Sequence, residues 1–117
     1  MIEEFMAWIG SNEQRLKAAP LFSKIRKSEL EDETVTPPMH KANVGVSTND
    51  LLASFTVWDT GMCEIIFMNN STCEDFVAVD QKFDTPSELR TILNKYGELM
   101  MNGASFDDLK YDNQTKS

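Results

Sequence analysis

The chain has 117 residues, about one domain's worth, and 41% of them are hydrophobic, enough to bury a core without a partner chain. Eleven Lys and Arg against nineteen Asp and Glu leave a formal charge of -8, which repels phosphate backbones and disfavours direct nucleic-acid binding. One histidine and two cysteines are too few for a Cys/His zinc centre or a disulfide scaffold, and no apolar run approaches the roughly 20 residues of a membrane span.

From Ile2 to Leu16 the large apolar residues Ile2, Phe5, Met6, Ile9 and Leu16 recur on one helical stripe, with Glu3, Glu4, Glu13, Gln14 and Arg15 elsewhere. Pro20, which lacks an amide proton, closes this first helix, expected over 2–18. The opening Met-Ile-Glu-Glu carries acid where a secretory signal carries base, so a cytoplasmic location is expected. A strand near 22–30 follows, containing Lys24, Arg26 and Lys27; the acidic run Glu29, Glu31, Asp32 and Glu33 leads from it to Thr36-Pro37-Pro38, an extended exit.

Beyond the prolines the period drops to two over Asn43–Thr48, Leu52–Asp59, Met62–Met68 and Cys73–Phe83, the pattern of an antiparallel meander. Asp59-Thr60-Gly61 suits a three-residue hairpin loop, because glycine supplies the left-handed third position. This loop sets Trp58 against Met62, Val57 against Cys63, Phe55 against Ile65 and Ala53 against Phe67, making one face wholly apolar. A two-residue loop would put Glu64 beside Val57. The opposite face, with Ser54, Thr56, Trp58, Met62, Glu64 and Ile66, is half polar and half sticky, and needs cover from a helix or a partner. At Asn69-Asn70-Ser71-Thr72, placing Met68 opposite Cys73 brings Phe76 and Ala78 to the apolar face. Cys63 and Cys73 then stand too far apart along the ladder to bridge, and free thiols are expected.

Thr85, Pro86 and Glu88 form a capping box that opens a second helix. Its stripe is Leu89, Ile92, Leu93, Tyr96, Leu99 and Met100, and it stops before Asn102-Gly103. The expected architecture is α+β: a twisted antiparallel meander of four or five strands packed by an amino-terminal and a carboxy-terminal helix. It forms one domain over 1–102, followed by a mobile acidic tail over 103–117, which shows no sustained period.

Four features invite chemistry. Asp59-Thr60-Gly61 matches the aspartic peptidase signature, in which two such loops share a proton, yet the chain has only five glycines and shows neither a glycine-tipped flap nor the second glycine motif. A hairpin turn accounts for the tripeptide. His40 has no nucleophile placed by a local motif and reads as an exposed loop histidine. The run Glu29 to Glu33 lacks the alternating acids and central glycine of a calcium loop, leaving a solvated loop or attraction of a basic partner. Trp58 reads as buried beneath a helix, with a partner-facing anchor as the other choice. No metal or cofactor is expected, and Met100, Met101, Phe106 and Tyr111 read as packing and fraying residues.

The stretch Phe55-Thr56-Val57-Trp58-Asp59-Thr60-Gly61-Met62-Cys63-Glu64, followed by a strand, a capped helix and preceded by a helix with an early tryptophan, resembles the TriTu family of immunity proteins. The similarity is clearest over 51–100, weaker over 2–18, and rests on a Trp-x-x-Gly-x-Cys hairpin; residues 20–48 lie outside it and are where partner choice could differ. The resemblance implies a non-catalytic protein that binds a toxin domain delivered by a polymorphic or contact-dependent growth inhibition system in the bacterial cytoplasm and blocks its active site or substrate access. Some toxins of this kind look like ribonucleases that cut tRNA and exploit elongation factor Tu, so the partner is expected to be a basic toxin domain, with the factor reached through it. An acidic inhibitor suits such a target. Glu29, Glu31, Asp32 and Glu33 are the first candidates for toxin binding, with Asp107 and Asp108 behind them; no family motif selects them. The alternative is a small dimeric aspartic peptidase using Asp59.

Overall fold

In the computed structural model, residues 2–18, 24–32, 39–47, 51–102 and 104–115 are described, with side chains for 2–12, 14, 41–47, 51–102 and 104–112. The order is α1 (Ile2–Ala18), β1 (Lys24–Asp32), β2 (Met39–Ser47), β3 (Leu51–Trp58), β4 (Met62–Asn69), β5 (Asp75–Lys82), α2 (Pro86–Met101) and α3 (Phe106–Thr115). The five strands form one antiparallel sheet in chain order, so the α+β meander is as expected.

The β3–β4 hairpin has the three-residue loop. Gly61 sits at φ 95 and its amide donates to the Trp58 carbonyl at 2.9 Å, while Val57, Phe55 and Ala53 pair with Cys63, Ile65 and Phe67. The next turn departs from expectation: Met68 pairs with Asp75, not Cys73. Asn69 is the reason. Its side-chain oxygen accepts from the Ser71 and Thr72 amides at 2.8 and 3.2 Å, and Cys73 takes a left-handed φ of 60 before the chain re-enters the sheet. A bulge between Ile65 and Ile66 then leaves Ala78 as the extra residue, so Phe76, Ala78 and Val79 all sit toward the core.

All the helices pack on one face of this sheet. Trp8 of α1 stacks on Phe55 with ring centroids 6.3 Å apart, Tyr96 of α2 meets Phe67 at 5.9 Å, and Phe106 of α3 meets Phe76 at 5.5 Å. Each fully buried ring of this size contributes about 1.5–3 kcal/mol. Thr85 caps α2 by accepting from the Glu88 amide at 3.2 Å, and Glu88 reaches back to the Asp84 amide at 3.1 Å, one residue further than the standard box.

The segment expected as an unpatterned acidic tail instead carries α3. Ser105 and Asp108 cap each other's amides at 3.1 and 3.2 Å, and Phe106 and Leu109 are 2% exposed in the core. The helix is anchored by only these two apolar positions, too short a stripe to register as a period, yet the Ser-x-x-Asp capping signal precedes it.

Trp8 can lie across α2 because residue 97 is glycine. A Cβ there would stand 2.5 Å from Trp8 Cζ2, while at Gly10 it would meet nothing within 4 Å. The indole is held by Phe55 and by its Nε1 donating to Asn94 Oδ1 at 2.8 Å, so it cannot step aside. In thermal or urea unfolding, Gly97→Ala should therefore cost about 1–3 kcal/mol, whereas Gly10→Ala should stabilise by up to about 1 kcal/mol.

Candidate functional site

With every helix on one side, the other face of the sheet is left without a helix among the described residues. The register sets its side chains in four rows: Lys41, Trp58, then Met62 and Lys82; Asn43, Thr56, Glu64 and Asp80; Gly45, Ser54, Ile66 and Val77; Ser47, Leu52, Met68 and Asp75. Most are half-buried by their neighbours, and Val77 is 48% exposed. The apolar set of β3 and β4 on the opposite side is nearly dry, so the period-two pattern turns one residue of each pair inward and leaves the other on this face.

Trp58 belongs to this outer face, a correction to burial beneath a helix. Its position follows from Val57, which is wholly buried next to it and forces the indole to the other side. Lys41, its register partner, places its ammonium 5.8 Å from the ring centroid. Beside it, Asn43 Nδ2 donates to Thr56 Oγ1 at 2.8 Å and Ser54 Oγ at 3.0 Å, pinning a row of short polar side chains across β2 and β3. The result is a firm, low floor with larger apolar groups to either side.

The other sequence candidates are scattered. Glu29, Glu31 and Asp32 lie in the edge strand β1, paired in register with Ala42, His40 and Met39, so the expected loop is a strand; Glu33 lies outside the described residues. The same register corrects His40 from a loop to a strand residue of β2, because the strand begins at Met39, well before the alternating pattern is legible. Asp107 and Asp108 are exposed in the first turn of α3, Asp108 occupied by the Ser105 cap. The structure does not bring them to β1: α3 packs over Phe76 of β5, the far end of the strand order. Lys110 of α3 pairs with Glu74, just before β5. Asp59 sits exposed at the β3–β4 turn, the tripeptide forming the hairpin. The outer-face grid was the reading the sequence supplied only in outline.

Chemistry within the fold is muted. Burial, with a smaller contribution from Glu64, pushes the Cys63 thiol up to about 12, so it is protonated at neutral pH and a poor nucleophile. Cys73 is exposed, and both cysteines are free. No group of three or more His, Cys, Asp or Glu among the described residues is placed to hold a metal ion, and no helix among them is long and apolar enough to cross a membrane. A cleft of about 400 Å³ opens between α1 and α2, lined by Glu4, Trp8, Arg90 and Asn94, but its polar groups answer one another.

That cleft contains the Arg90–Glu4 pair at 2.5 Å, whose hydrogen bond holds Glu4 below its ordinary value of 4.5. A lowered carboxylate contributes stability above its unfolded pKa and loses it as pH falls through the folded one. Because Arg90 is exposed and Glu4 only half-buried, water screens the pair and the contribution is small. Glu4→Gln should lower Tm slightly at neutral pH, and the difference from the parent should shrink to nothing as the pH is taken below 4.5 and through the lowered value.

Comparison with curated proteins and with solved structures finds no significant match to either. The family model described as Immunity protein TriTu matches residues 3–98, and the chain belongs to that family. The match spans α1, the whole sheet and most of α2, and α3 lies beyond it.

Proposed function

We propose that this TriTu-family immunity protein neutralises its cognate toxin by stoichiometric occlusion, and that the toxin is a ribonuclease acting on tRNA. Membership of the family supports the toxin-neutralising role and a cognate toxin as partner. The observation that carries the finer reading is the formal charge of -8: a nuclease presents a basic surface to its RNA, and an acidic body is steered to that surface quickly and can cover it. The work is then done in the cytoplasm without turnover, by a chain that needs no cofactor. Elongation factor Tu enters, if the toxin recruits it, through the toxin.

Glu29, Glu31, Asp32 and Glu33 supply the steering charge in this reading, with Asp107 and Asp108 as a second acidic group. Charge on the rim speeds association and confers salt dependence more than it tightens the final complex. Specificity needs an apolar centre inside that rim.

The test is co-expression with the carboxy-terminal domain of the protein encoded immediately upstream. That domain should kill cells and cleave tRNA in the absence of this chain and do neither in its presence. Charge-reversing Glu29, Glu31, Asp32 and Glu33 together should slow association about tenfold or more and flatten its salt dependence, while unchanged association kinetics would remove those acids from the reading. Cleavage of another target would refute the tRNA assignment and leave the immunity role in place.

A further inference from the structure

The sheet face that no helix covers among the described residues carries an arrangement that folding alone does not favour. Glu64 of β4 and Asp80 of β5 are register partners, directly opposite each other on adjacent strands. Such partners have Cβ atoms about 4.5–5.5 Å apart, and like charges so placed repel. Neither forms an ion pair among the described residues, although Lys82 and Lys41 share the face at its Trp58 end. Where local electrostatics work against the fold, a functional contact is the usual reason.

Resting on the immunity reading above, we infer that this face is the toxin-docking surface, with Glu64 and Asp80 together receiving a cationic side chain of the toxin and Trp58, Met62 and Ile66 packing the apolar groups around it. An arginine suits such a register pair, because its planar fork carries several donors and can serve two acceptors at once. Trp58 and Met62 lie in the row on one side of the pair and Ile66 and Val77 in the row on the other, so an incoming guanidinium is flanked by apolar surface that excludes water. Asn43, holding Ser54 and Thr56, keeps the adjoining floor rigid, which limits the ordering needed on binding. Charge selects the occupant. A second copy of this chain would bring another -8 to the contact, whereas a basic toxin domain brings the opposite charge to a pair of like ones.

The experiment compares the parent chain with three variants, using the carboxy-terminal domain encoded upstream as the probe and calorimetry, growth protection and thermal unfolding as readouts. Glu64→Lys combined with Asp80→Lys keeps a like-charge pair and so should fold with little change in Tm, yet lower toxin affinity by about 30-fold or more. Glu64→Lys alone converts the pair to an opposite one; its Tm should rise while affinity still falls, a separation of stability from binding that a merely structural role would not produce. Val77→Asp, at an exposed position, should weaken binding without unfolding the chain. Glu3→Lys on the helix side should bind within about twofold of the parent. If the parent binds and protects while the folded double variant matches it within twofold, the surface assignment is wrong and the immunity reading stands. If the parent neither binds nor protects, both fall. A concentration-dependent dimer of the free chain that Val77→Asp abolishes would show that a second copy covers the face, and would also overturn the assignment.

Discussion

Trp8 reaches the sheet because α2 presents a residue without a side chain where the two helices cross. The close approach at Gly97 lets the indole pass over α2 to stack on Phe55, and Asn94 satisfies its ring nitrogen. From Phe55 the ring contacts continue to Phe67, then to Tyr96 and Phe76, and from Phe76 to Phe106. One continuous aromatic chain thereby fastens α1, α2 and α3 to the same side of five strands. A bulkier residue at position 97 would push α1 outward and break that chain at its first link.

This one-sidedness decides what the molecule has to offer. The inner face is dry, as Val44, Phe55, Ile65 and Phe67 show, and the outer face is left to short polar groups, half-buried apolar ones and a facing pair of carboxylates. Antiparallel sheets tolerate this because each strand alternates its side chains. The outer face is also stiff, since every strand that bears it is pinned from behind by the aromatic chain or by its neighbours in the ladder. Cys63, protonated and buried, lies on the inner side and adds no reactive group to this preformed surface.

How much of this was legible in the chain varied with the range of the signal. The Asp59-Thr60-Gly61 hairpin and the Thr85 cap were readable because each is decided within four residues by backbone geometry. The second β-hairpin was not: Asn69 folds the turn back on itself, and the left-handed Cys73 delays re-entry by two residues, which a period-two pattern does not register. Glu29, Glu31, Asp32 and His40 looked like loop because charge is depleted from strands, yet β1 and β2 pair through them at the edge of the sheet, where charged residues discourage further strand addition. Phe106 and Leu109 gave too little periodicity for a helix, although the core had a place for both.

The sequence by itself determined the α+β meander, the inward set of β3 and β4, the capped second helix and the acidity, all of which follow from local periodicity, turn chemistry and charge counting. Only the tertiary structure decided that α1, α2 and α3 share one face, that Trp58 lies on the other and that Glu64 stands opposite Asp80. Those outcomes depend on which side of a sheet a distant helix chooses and on a bulge that shifts the pairing of β5. Neither is encoded within the reach of a single turn or strand.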